Sequence, residues 1–366
     1  MLVVLSHIEL LKEYHGYPSL QSNPAVYELG RLAVTFFFVL SGFLITYLLL
    51  AEKQVAGVIS VKKFYVRRML RIWPLYYLAI VLAFVILPRF ELFEIPKLTD
   101  ALPQSIGWTL PLFLLLLPQL ALSLFPPVPY AEPLWSIGVE EQFYLLWPLL
   151  VARVKRFLPL VLGIVVAGIL AKQLAIVYAS RLSDPGQLRF WNHFIDYFYF
   201  TRIECMGIGA VGAWVVFQQR RRILGVLYSP ITQILAWGLT AWFLVTPRFK
   251  PLLHYAPVSV LFCIIILNVA ANQRSLLKME NRLFTFLGNI SYAIYMFHEI
   301  AIKVVMEVQT RFGRTSFTSL ASNAVLYFGS IVLTLLLASA VYRFYELWFL
   351  RRKSRFTIVP SGGNGM

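Results

Sequence analysis

The sequence predicts an all-α, polytopic membrane bundle of about ten spans, with a re-entrant or broken element near residues 107–125. Three observations lead there. Hydrophobic residues make up 59% of the 366, charged residues only 14%, and the mean hydropathy is +0.71, whereas a soluble globule carries about a quarter charged residues. Apolar runs near the ~20 residues of a membrane helix recur with almost no strand-like alternation. Basic residues gather in short clusters at the ends of those runs, the pattern that orients membrane helices. The net charge of +16 therefore reads as topology and attraction to anionic lipid, not as a nucleic-acid surface. Cys205 and Cys263 lie in separate apolar segments without metal-ligand spacing and read as buried thiols.

The elements follow in order. The first run, MLVVLSHI, supplies eight residues before Glu9, fewer than a crossing needs, so the first helix is expected to be incomplete. It has no charged n-region and does not read as a signal peptide. The basic clusters are Lys62, Lys63, Arg67, Arg68 and Arg71; Arg153, Lys155 and Arg156; Arg220, Arg221 and Arg222; Arg274, Lys278 and Arg282; and Arg351, Arg352, Lys353 and Arg355. The positive-inside rule places all five in the cytoplasm, so an even number of crossings separates consecutive clusters. The pairs 158–178 and 202–218, 229–246 and 252–271, and 284–306 and 322–347 meet that condition. Between the first two clusters lie three runs, 73–88, 107–125 and 137–152. The middle one contains Pro111 and Pro118 and is flanked by Pro103, Pro126, Pro127 and Pro129. A straight lipid-facing helix there would lose backbone hydrogen bonds, so it is read as re-entrant or broken, packed inside the protein.

That leaves about ten spans, both termini cytoplasmic, and external loops at 13–27, 89–105, 131–137, 179–201 and 309–321. The fourth loop is rich in aromatics, with His193 and Asp196, and reads mainly as an interfacial aromatic belt. Residues 1–350 form a single membrane domain, and 351–366 a basic, flexible cytoplasmic tail. No internal repeat is evident.

Charged groups within these runs demand explanation, since each costs about 2.5–3.5 kcal/mol at bilayer depth. Glu140 and Glu141 stand in WSIGVEEQFYLLWPLL, and His7, Arg202, His298 and Glu346 stand in other apolar runs. A transporter or flippase would also use intramembrane charges and a broken helix, but the absent inverted repeat weighs against it.

The residues also match a family. LVVLSH (2–7), FFFVLSGFLIT (36–46), KKFYVRRMLRIWPLYYL (62–78), WSIGVEEQFYLLWPLL (135–150) and FLGNISYAIYMFHEIAI (286–302), in this order, closely resemble the membrane acyltransferase 3 family. TRIECMGIGAVGA (201–213) and SAVYRFYELWFL (339–350) resemble its weaker later patterns. The resemblance implies an O-acyltransferase of the bacterial plasma (inner) membrane. It would move an acyl group, most often acetyl, from cytoplasmic acyl-CoA to a hydroxyl of a cell-envelope glycan, a glycolipid or a small acceptor. Acyl-CoA is then a donor substrate, with no permanently bound cofactor and no metal. The expected partners are membrane lipid, the donor and a glycan or lipid-linked acceptor, with a separate extracytoplasmic enzyme if transfer runs as a two-step relay. Two departures stand out. The family's usual Arg, three turns before the His matching His7, would precede Met1. Thr35 stands where the family often has Asp.

Acyl transfer needs a base, oxyanion donors and a grip on the donor's phosphates. His7 is the candidate base, because imidazole titrates near neutrality. Glu140 and Glu141 point about 100° apart on a helix, so one is expected to orient His7 or bind an arginine and the other to cap or pair at the external interface. Arg67 and Arg71 share a face, with Arg68 beside them, and guanidinium groups suit CoA phosphates. Ser41, Gly42 and Phe43 would let backbone approach the thioester, or serve as ordinary helix packing. Ser291, Tyr295 and His298 recur at helical spacing and make one face polar, so His298 is either a second site histidine or a structural one. Trp135 and Tyr292 are further site candidates. Arg202 and Glu346 are expected as ion-pair members.

Overall fold

The computed structural model describes residues 1–99, 102–246, 251–313 and 317–359. Among these residues all regular structure is helical, with no strand. Five helices are long and apolar enough to cross a membrane: Pro24–Ala56, Val61–Arg89, Phe157–Ala179, Pro185–Phe217 and Leu320–Phe356. A sixth is possible if Arg221–Leu227 and Pro230–Val245, bent by 56°, act as one span. Other expected spans are more charged or shorter. The Arg282–Arg311 helix runs 30 residues but carries Glu299, Lys303 and Glu307, and Tyr255–Ala271 is a shorter apolar helix.

By its contacts the chain forms two compact units. The first comprises Met1–Arg31, Val66–Gly138 and Glu280–Arg355. At its centre the Arg282–Arg311 helix packs along Leu320–Val341 and against Leu2–Tyr14. Asn281 caps the long helix by accepting from the Phe284 N–H at 2.9 Å, and Ser319 caps the next by accepting from Ser322. Ile8, Leu11, Ile290, Ala293, Ile302 and Leu326 are buried there, so the amphipathic face of each helix meets its neighbour's.

The 107–125 stretch is broken, as its prolines predict. It consists of Leu102–Leu114 and Pro118–Leu124, with Leu116 between them in the left-handed region at φ 62°. Hydroxyls brace the break: Tyr76 donates to Phe113 O at 2.8 Å, which also accepts from Leu116 N, and Tyr77 donates at 3.2 Å to Leu114 O, whose i+4 partner Pro118 has no N–H. Gly138 faces the second piece so closely that a Cβ would lie 2.5 Å from Pro118 Cδ.

The second unit comprises Leu32–Tyr65, Val139–Met279 and Phe356–Met366. Here Ile203–Phe217 packs on Phe157–Ala179 and Pro251–Ala271. Its small residues let backbones touch: a Cβ on Gly209 would lie 2.0 Å from Val39 O, and one on Gly42 2.0 Å from Met206 O. A buried ion pair joins Lys172 to Glu204 at 2.5 Å.

Two expectations change. The loop read at 179–201 is mostly helix, Pro185–Phe200. Asp184 accepts from Gln187 N at 2.8 Å and Pro185 occupies the first turn, a start signal that the aromatic composition masked. The chain also remains helical beyond residue 350, through Leu347–Lys353 and Ser354–Phe356. The rest of the flexible-tail expectation, residues 360–366, lies outside the described residues.

Candidate active site

In the first unit the Leu2–Tyr14 helix sets His7 against His298 and Glu299 of the Arg282–Arg311 helix. His298 Nδ1 lies 2.8 Å from the Tyr295 carbonyl. A carbonyl only accepts, so this nitrogen carries the hydrogen and Nε2 of the neutral ring is an acceptor. His7 Nδ1 lies 2.7 Å from that Nε2 and therefore donates to it. Glu299 Oε1 lies 3.0 Å from the same Nδ1, an ion-pair distance for a charged imidazole. With both rings neutral, His7 Nε2 is left with its lone pair. The two rings are 4.7 Å apart between centroids.

Around this chain lie further polar groups. Tyr14, two turns beyond His7 on the same helix, donates to Glu132 Oε2 at 3.2 Å. Glu132 and Arg31 both act electrostatically on His7. Burial, reinforced by the Glu299 carboxylate, raises the Glu132 carboxyl above the usual carboxylate range. The Tyr295 hydroxyl lies 2.8 Å from Pro133 O, to which it donates, and 2.7 Å from Ser136 Oγ. That places the buried Trp135 in the segment tied to the His298 helix. Tyr292 donates to Ile72 O at 3.0 Å and ties the same helix to the residue after Arg71.

His7, His298 and Glu299 are also residue types that bind metal, with ligand atoms within 4.8 Å of one another. Their 2.7 and 3.0 Å separations are hydrogen-bond distances.

A second cluster in this unit holds the expected arginines. Arg67 is buried, and Arg68 and Arg71 are half-buried. Arg71 Nη1 meets Glu346 Oε1 at 2.8 Å, and Glu346 lies in the π-helical turn Tyr342–Glu346, a distortion that often marks functional positions.

In the second unit Glu140 Oε1 accepts from Ser41 Oγ at 2.6 Å, and Oε2 lies 3.1 Å from the Tyr144 hydroxyl. Gly42 serves the close packing on Met206, and Phe43 is buried beside it. Glu141, one position on, is turned away from the Ser41 contact by the helical geometry. Arg202 is almost fully buried; it donates to Thr35 Oγ1 at 2.8 Å and Tyr199 O at 3.0 Å, and its guanidinium lies 3.6 Å from the Tyr255 ring centre. Thr35 thus supplies an acceptor at the position where the family often has Asp.

An acyltransferase-domain family model matches residues 1–343. The chain belongs to the acyltransferase 3 family. O-acetyltransferase OatA of Staphylococcus aureus (strain NCTC 8325 / PS 47) is 26% identical over 335 residues, covering 87% of this chain and 52% of the relative. A putative O-acetyltransferase of the same species, SACOL0978 of strain COL, is 24% identical over 340 residues with the same coverage of 87% and 52%. The chain spans about half the length of these curated relatives. No solved structure matches.

Within this acyltransferase 3 chain, the structure joins His7 to His298 and Arg71 to Glu346. The carboxylate on His7 is Glu299, which sequence reasoning did not single out. Its one available signal was a second ionisable group immediately after His298 in an apolar helix. Glu132 was missed for a plainer reason: it precedes the apolar run and reads as an ordinary loop residue.

Proposed function

We propose that this chain is an O-acetyltransferase of the bacterial inner membrane, moving acetyl from cytoplasmic acyl-CoA to a hydroxyl of a cell-wall glycan. The observation that carries the reading is the hydrogen-bond chain that leaves His7 Nε2 as an acceptor. The acceptor hydroxyl gives its proton to that nitrogen while its oxygen adds to the thioester carbonyl carbon. His7 then holds protons on both nitrogens, and the adjacent Glu299 carboxylate stabilises the positive ring. Collapse of the tetrahedral adduct breaks the carbon–sulfur bond, and the proton on Nε2 passes to the departing sulfur. Arg67, Arg68 and Arg71 would hold the donor's phosphates. If transfer runs as a relay, a separate extracytoplasmic enzyme completes it.

Purified protein incubated with radiolabelled acetyl-CoA should place label on a glycan acceptor or release labelled acetate. Neither product from folded protein that binds CoA would refute the reading. The topology proposed with it has ten spans and both termini cytoplasmic. Cysteines at Ala131 should then react with an impermeant probe from outside, and cysteines at Val154 and Gln219 only from inside. External labelling at Val154 would make 107–125 a crossing.

A further inference from the structure

The last helical turns of the chain run alongside the arginine helix. Tyr345 donates to Pro74 O at 3.1 Å, Glu346 pairs with Arg71, and Lys353 lies in the field of Arg68, Arg71 and Arg67. As the C-terminal helix advances from 345 to 353, its partners on the Val61–Val81 helix fall from 74 towards 67. The two segments are therefore antiparallel. Lys353 is seven residues, about two turns, beyond Glu346, which brings it to the same face.

Its neighbours turn elsewhere. Arg351, Arg352 and Arg355 are exposed, and Arg352 stacks 3.2 Å from the Trp348 ring centre. Lys353 alone of that basic run is half-buried, towards the arginines that should repel it. Arg67, Arg68, Arg71 and Lys353 gather four positive charges on neighbouring turns, with Glu346 paired to Arg71. Bringing like charges together in partly buried surroundings is costly, and a multiply charged anion offsets that cost.

From this juxtaposition we infer that Lys353 completes the donor-phosphate site, so that the C-terminal helix is part of the binding machinery and not a free tail. The inference rests on the acyl-CoA reading above. CoA fits by charge: its diphosphate and 3′-phosphate carry several negative charges near pH 7. Arginines supply forked donors, and a lysine adds a compact point charge that can follow the phosphates.

The test is CoA titration of the full chain in nanodiscs of neutral lipid, which removes anionic headgroups as competitors. Lys353→Gln should weaken CoA binding about tenfold, with Lys353→Arg and the neighbouring Arg352→Gln staying within about twofold of the parent. Turnover with acetylpantetheine, which lacks the nucleotide phosphates, should not respond to Lys353→Gln. Equal losses in Lys353→Gln and Arg352→Gln would reduce the effect to bulk charge and overturn the inference. If Arg67→Gln loses affinity and Lys353→Gln does not, the donor reading stands and the role of the C-terminal helix falls. If the parent protein binds no CoA, both fall. A measurement on the unaltered protein guards against misfolded variants. CoA should protect Lys353 from an amine-acetylating reagent while leaving the exposed Lys62 and Lys63 reactive, and unprotected Lys353 would refute the assignment.

Discussion

Glu299 and Glu140 are both carboxylates on largely apolar helices, yet their partners differ in kind. Glu299 sits 3.0 Å from an imidazole nitrogen, in a chain continuing through His298 to the Tyr295 carbonyl. Glu140 is held by the hydroxyls of Ser41 and Tyr144. An imidazole exchanges its proton near neutral pH, whereas these hydroxyls do not. The first arrangement can move a proton and balance the resulting charge. The second satisfies a buried acid and fastens two helices of its unit together. The partner, more than the carboxylate itself, decides what a buried glutamate can do.

The sharpest way to break that contrast is at the shared base. His7→Ala should lower acyl transfer by about 10²–10⁴-fold while CoA affinity and the melting transition stay near the parent's. Undiminished turnover would make the histidine chain structural. Next in size is the paired replacement of the two acids. Glu299→Gln keeps shape but loses the charge facing His7, and should lower kcat about 10–10³-fold with little change in KM. Glu140→Gln should act first on stability, by about 1–3 kcal/mol, and retain at least about tenfold more turnover per folded molecule than Glu299→Gln. The reverse order would return the catalytic role to Glu140.

A smaller effect tests whether the second unit is held by backbone packing. Gly209→Ala puts a Cβ 2.0 Å from Val39 O and should cost about 1–3 kcal/mol. Gly168→Ala, whose Cβ would meet nothing nearer than 3.8 Å, should be neutral or stabilising by up to about 1 kcal/mol. Thermal melts in detergent compare the two, and equal shifts would argue against close packing at Gly209. The smallest expected change is in Tyr295→Phe, at about 1 kcal/mol. It removes the hydroxyl's bonds to Pro133 and Ser136 but keeps the carbonyl that orients His298, so kcat should fall far less than in Glu299→Gln. A comparable fall would give the hydroxyl a direct part in the chemistry.

Much of this was legible before any coordinates. Composition and run length determine an all-helical membrane protein, because apolar helices of that length have no other stable solvent. The prolines of 107–125 determine a broken element, because proline removes the donors a continuous helix needs. Ordered motifs identify the family and draw attention to His7, His298 and the arginines. The tertiary structure decided which of these groups meet. His7 and His298 are 291 positions apart, and helical periodicity reports only neighbours within a few turns. Glu299 could not be preferred to Glu140 from pattern alone, since both are acids in apolar helices and only contact separates an imidazole partner from a hydroxyl one. Gly42 likewise reads equally as a site or a packing residue in its motif, and only the structure shows Met206 O against it. Lys353 looked like one member of a topological cluster, and only helix packing turned it, unlike its neighbours, towards Arg67, Arg68 and Arg71. Local sequence sets what each segment is. Long-range packing sets which charges must share a site, and chemistry depends on that second choice.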